Sequence, residues 1–300
     1  MLTTTEIIQQ VASELQNFQN AWWKDYDSPQ PSHIYHYTSL EGLVGILTSR
    51  KFFLSDVMAS SDRSEIRHGF ELANEVLRSR VAHALCKSIL DTLVHHQFLR
   101  IGETMFEYAV CFCPGSDVLT QWRAYSADGG FALGVDFGKV VTSAVAAGFG
   151  ISKMLYDHQR QAALLESTLD HATSLFDRLN TQIALLPAAE AQDCRNKFAF
   201  EVEMSLVKSI LRFKNEAFQS ENEWRILAFE NKDCLTADRL KFRARGRTVI
   251  PYIELPFSPD LVTHIYRSPG PWPRSIEHGV RRLSASIGPH VLCETSRLPL

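Results

Sequence analysis

The order in which strand-like and helix-like segments follow one another constrains the fold of this chain more than any other feature. Strand pattern clusters between residues 34 and 55, 105 and 137, and 224 and 293, and long helical stretches separate these clusters. Strict strand, helix, strand alternation is the mark of a doubly wound parallel sheet, and the chain does not follow it. The expected class is therefore α+β with a mixed, largely antiparallel sheet core.

The finer pattern sets the expected boundaries. Thr3 and Glu6 have capping-box spacing, and Ile7, Val11, Leu15, Phe18 and Trp22 recur at steps of three or four, which predicts an N-terminal helix. Pro29 and Pro31 end it, so the expectation is a helix and connection over 1–30 and a single α+β domain over 31–300. Ile34 to Thr38 reads as a strand, Ser39 as an N-cap, Leu40 to Leu47 as a short helix and Phe52 to Ser55 as a second strand. Strands at Met105 to Cys113 and Gly130 to Phe137 flank a helical turn at Gln121 to Tyr125. A block at about 159–213, rich in Ala, Leu and charge, predicts an inserted helical subdomain, after which strands resume from Trp224, with Arg245-Gly246 as a hairpin turn.

Hydrophobic residues at 45% and charged residues at 22% are those of a globular chain. A formal charge of −3 gives no global reason to bind nucleic acid or an anionic membrane, so such binding needs a local patch. No secretory signal pattern and no run of about 18 apolar residues is present, and a cytoplasmic location is the expectation. The six cysteines include no CxxC pair, which fits buried thiols in a reducing compartment, and no metal site is expected.

Phosphate-loop, dinucleotide-loop, nucleophile-elbow and zinc-protease motifs do not occur. Strand alternation instead puts Ile34, His36 and Thr38 on one face and Tyr35 and Tyr37 on the other, just before a strand-to-helix turn. An imidazole, a hydroxyl and a helix N-terminus in one small volume suit a ribose and a phosphate; a satisfied core histidine is the alternative. Glu221, Glu223 and Arg225 share a face if the segment is extended. Two carboxylates and a guanidinium there can stabilise a cationic transition state or form an ordinary solvated ion pair. Arg123, beside Trp122 and Tyr125, can hold a pyrophosphate or bridge to a structural carboxylate. Arg239, Lys241, Arg243, Arg245 and Arg247 form a cationic stripe with Leu240 and Phe242 facing inward. The stripe can bind RNA, DNA or an acidic protein, or serve only to guard a hairpin edge.

The spread of Tyr35-His36-Tyr37-Thr38-Ser39, Leu43 to Phe52, Gln121-Trp122-Arg123-Ala124-Tyr125 and Glu223-Trp224-Arg225 resembles a bacterial family known as a domain of unknown function, DUF2971, over about Ser32 to Leu300. His36-Tyr37-Thr38, the Gly45 to Phe52 segment and Asn222-Glu223-Trp224-Arg225-Ile226-Leu227 are also similar, in order and spacing, to motifs of ADP-ribosyltransferases of the His-Tyr-Glu type. That resemblance implies NAD as substrate, His36 on the adenosine ribose, Thr38 supporting the bound NAD and Glu223 on the nicotinamide ribose. Phe53 or Tyr125 would supply an aromatic face, and Glu221 would orient an acceptor, protein or nucleic acid. A toxin, effector or phage-defence role follows by the same analogy. The competing expectations are a non-enzymatic module that senses a nucleotide or binds nucleic acid, and then a nuclease.

Overall fold

The computed structural model describes residues 2–59, 63–96, 105–125, 129–231, 236, 238–245 and 247–299. In chain order the elements are α1 (Thr4–Tyr26), β1 (His33–Ser39), α2 (Leu40–Ser49), β2 (Lys51–Asp56), α3 (Arg63–Arg78), α4 (Ala84–His96), β3 (Met105–Phe112), α5 (Leu119–Tyr125), β4 (Gly130–Asp136), α6 (Phe137–Ala146) and β5 (Gly150–Lys153). There follow α7 (His158–Ile183), α8 (Ala188–Ile210), β6 (Trp224–Asn231), β7 (Lys241–Arg245), β8 (Thr248–Pro256), β9 (Val262–Arg267), α9 (Arg274–Ile287) and β10 (Leu292–Thr295). The class is α+β, with one mixed sheet and one antiparallel sheet.

Two compact units divide the chain. One is helical and is assembled from Met1–Ser28, Ser61–Gly102 and Met154–Phe218. Its first helix starts in a true capping box: the Glu6 amide donates to the Thr3 hydroxyl, and the Thr3 amide donates to the Glu6 carboxylate at 2.8 Å. The buried stripe of α1 is Ile7, Val11, Leu15, Gln19 and Trp23, so it swings away from the expected Phe18 and Trp22. The polar Gln19 is tolerated inside because its amide donates to the Ser205 carbonyl and the Ser209 hydroxyl of α8. Among the described residues no helix is long and apolar enough to cross a membrane.

The second unit, from Pro29–Ser60, Glu103–Lys153 and Gln219–Leu300, carries every strand among the described residues. Its four-stranded sheet runs β1-β4-β9-β10, antiparallel except for the β9–β10 pair. Its six-stranded sheet runs β5-β6-β3-β2-β8-β7 and is antiparallel throughout. One apolar core draws from both sheets, with Ile34, Leu133, Val135 and Ile265 from the first and Phe52, Leu54, Val110, Phe112, Trp224 and Ile253 from the second. Leu43, Ile46 and Leu47 of α2 close it, as their three- and four-residue spacing requires. Across the four-stranded sheet, Tyr37 packs with Cys113, Trp122 and Ala132 in a separate cluster. Alternation along β1 therefore has the predicted sense: Ile34 and His36 face the main core, while Tyr35 and Tyr37 face the other side.

Gly134 of β4 is dictated by its neighbours in that sheet. A Cβ there would lie 2.6 Å from Tyr35 Cε1 and 3.0 Å from His264 Cβ, so only glycine lets the two rings close over the strand.

Candidate functional site

The site lies where β3 changes partners. The β2–β3 ladder contains only Ser55 opposite Ala109 and Asp56 opposite Tyr108. Further along β3, Cys113 forms a two-way backbone pair with Tyr35 of β1, at 2.8 and 3.0 Å. Between these two contacts β1 and β2 diverge, and Cys111 sits in the resulting fork.

His36 occupies that fork. Its Nδ1 lies 2.8 Å from the Cys111 carbonyl, and its ring packs against Phe112 and Phe52. A carbonyl only accepts, so Nδ1 carries the hydrogen and a neutral ring presents an acceptor lone pair at Nε2. Burial lowers the proton affinity of the imidazole, the Cys111 hydrogen bond opposes this, and the charge of Arg243 reinforces it, so the net direction favours the neutral ring. The side chain is half-buried.

On the other edge of β3, Cys111 stands opposite Arg225 of β6. The Arg225 guanidinium grips Glu223 with both arms: Nε donates to one carboxylate oxygen at 2.7 Å, and a terminal nitrogen donates to the other at 3.0 Å. The two side chains are 11% and 6% exposed, so the solvated ion pair left open by the sequence is in fact a buried fork. Glu221 does not share their strand face. It ends a 3₁₀ turn, Glu216–Glu221, and Asn222 takes a left-handed conformation with φ of 44° before the strand begins. Both carboxylates still act on Cys113, whose thiol is pushed up to about 11, chiefly by burial and then by Glu223 and Glu221.

Phe53 and Arg243 join the same region from β2 and β7. The Phe53 ring lies against Gly45 of α2, at 3.3 Å from where a Cβ would stand, and meets Tyr252 at 5.1 Å between centroids. The Arg243 guanidinium lies 5.9 Å from the Phe53 ring and 5.6 Å from Tyr252, and donates to Ser55 Oγ at 2.6 Å. Thr38 is turned toward Gly42 in the first turn of α2, close enough to exclude any side chain there.

Other expected residues stand apart from this group. Arg123 and Tyr125 are exposed on α5, whose Trp122 packs edge-on against Tyr37, on the face of β1 opposite His36. The five-cation stripe is broken up. Arg239 precedes β7 and pairs with Glu230, Lys241 pairs with Glu254, and Arg247 is exposed in the turn. The Arg245 side chain and Gly246 of the expected hairpin turn lie outside the described residues. Leu240 packs on the core as expected, but Phe242 does not face inward: it is 62% exposed, because the hairpin runs past the end of the core face.

The sequence pairs Arg225 with Glu223 but gives no sign that the pair is buried, and it does not bring Arg243 near His36. Sequence reasoning also passed over Glu107, buried at 3% exposure on β3, whose two oxygens have no hydrogen-bond partner among the described residues. Burial, with a smaller contribution from Asp56, pushes the Glu107 carboxyl up to about 8. A glutamate inside an otherwise apolar strand was the available signal for it.

A family described as "Protein of unknown function (DUF2971)" matches residues 121–226, a span that runs from α5 through the Glu223–Arg225 pair. No curated protein and no solved structure matches the chain.

Proposed function

We propose that this protein is an NAD-dependent ADP-ribosyltransferase that releases nicotinamide and passes ADP-ribose to a macromolecule. One observation carries the reading: His36 and Glu223, far apart in sequence, are joined through a single residue pair, with Cys111 holding the imidazole by its carbonyl and facing Arg225, which holds the carboxylate. In this reading the Nε2 lone pair of His36 accepts from a ribose hydroxyl, and Thr38 and Phe53 flank the bound NAD. Nicotinamide departs with the electron pair of its glycosidic bond, and positive charge develops on the ribose. The Glu223 carboxylate, fixed in direction by Arg225, stabilises that charge without reorganising. The acceptor atom then bonds to the ribose carbon and gives its proton to Glu221. A cytoplasmic toxin, effector or phage-defence enzyme is the setting that goes with this chemistry.

A second reading is a nucleotide-binding module without turnover. It is favoured by the occupation of both Glu223 oxygens by Arg225, which competes with a substrate hydroxyl. Incubation of purified protein with NAD, with nicotinamide release followed with and without cell lysate, separates the two. Turnover that falls about 100-fold in Glu223→Gln while NAD binding persists supports the transferase. Binding without release supports the module, and absence of NAD binding removes the transferase.

A further inference from the structure

We propose that the β7–β8 hairpin is a docking edge for an extended acidic segment of a partner protein, which adds to the six-stranded sheet beside β7. Three observations on that hairpin coincide, and none depends on how the His36 and Glu223 site is read.

The first is topological. β7 is the last strand of its sheet, so one row of its backbone donors and acceptors has no ladder partner among the described residues. Such an edge is a template for another strand. The second is an apolar strip along the hairpin. Phe242 is 62% exposed, Val249 is 65% exposed, and Ala244 is exposed too. Cross-strand pairing sets Ala244 opposite Val249 and Phe242 opposite Pro251, so these side chains are contiguous on one face. Isolated exposed apolar residues need no explanation, but a strip along an open edge does.

The third is charge. Alternation puts Lys241 and Arg243 on the face opposite Phe242. Lys51 and Lys241 share one Glu254 oxygen, at 2.6 and 2.8 Å, so two ammonium groups stand against one carboxylate, and Arg247 is exposed at the turn. The chain as a whole carries −3, so this positive face is local. An added strand would therefore place acidic side chains beside Lys241, on the face opposite Phe242, and apolar ones over Phe242 and Ala244, while Arg243 turns away across β8 toward Ser55. A second copy of this chain fits badly, because pairing β7 with β7 sets like charges against each other. Nucleic acid would use the cations but leave the open ladder and the apolar strip unaccounted for.

The probe is a short fluorescent peptide alternating glutamate with valine, titrated into the full-length protein by anisotropy across a salt series. A peptide of the same composition with its glutamates in one block, an alternating peptide N-methylated at every second residue, and single-stranded DNA serve as comparisons. Saturable binding of the alternating peptide is expected, with loss on N-methylation and about tenfold weakening in Phe242→Ser/Val249→Ser. The substituted side chains are exposed, so unchanged Tm and circular dichroism will show that the fold is intact. Equal binding of the block peptide, insensitivity to the double substitution, or a preference for DNA would each overturn the proposal.

Discussion

The buried pair of Glu223 and Arg225 makes a sharp energetic demand. Replacing Arg225 with methionine keeps much of the side-chain volume but leaves the Glu223 carboxylate, 6% exposed, without its bidentate partner. Breaking one half of a buried pair costs about 3–5 kcal/mol, because the remaining charge is stranded away from water. The double variant Glu223→Gln/Arg225→Met removes both charges and should recover most of that loss, giving a coupling of about 2 kcal/mol or more. Urea unfolding followed by tryptophan fluorescence measures all four corners of the cycle; Trp224, between the pair in sequence and 3% exposed, reports on this sheet. The pH dependence supplies a second check. In Arg225→Met the stranded carboxylate is relieved by taking up a proton, so the deficit should shrink as pH is lowered. A loss under about 1 kcal/mol that simply adds to that of Glu223→Gln is the behaviour of a surface ion pair, and would refute the claim that the fork is desolvated.

Further outcomes follow from other parts of the sheet unit. Glu107 takes up its proton far more readily when folded, at about 8 against an ordinary 4.5, so the unfolded chain binds fewer protons between those values. Its contribution to stability therefore falls as pH rises through that window, by up to about 1.4 kcal/mol per pH unit, and urea titrations of Glu107→Gln should lack that slope. His36 has the opposite sign, with its folded proton affinity lowered by burial. Stability should drop as pH falls below its ordinary 6.5, and His36→Asn, whose amide can still donate to Cys111, should show less of that drop in thermal melts. Gly134→Ala should cost about 1–3 kcal/mol through the clash with Tyr35 and His264, and a Tyr35→Ala background should absorb part of it. Thiol titration of native protein should label exposed Cys293 well before Cys113, which is 3% exposed with its thiol pushed up to about 11. Equal rates would contradict the burial.

What the sequence determined by itself was local. The capping box at Thr3 and Glu6, the Ser39 cap that accepts from the Gly42 amide, and the side on which each residue of β1 falls depend on neighbours within four positions. The α+β class followed from the same short-range signals. Lateral order was not legible, because a strand's own pattern says which face is apolar but not which strand lies beside it. The order β5-β6-β3-β2-β8-β7 sets Arg225 opposite Cys111 and lets Arg243 reach from β7 across Tyr252 to Ser55. It also leaves β7 at the edge, where Phe242, apolar and correctly phased, finds no core beneath it and stays exposed. Burial is a property of what covers a face, and the covering groups come from segments more than a hundred residues away. The conversion of Glu223 and Arg225 from an apparent surface pair into a desolvated fork was therefore a decision of tertiary structure alone.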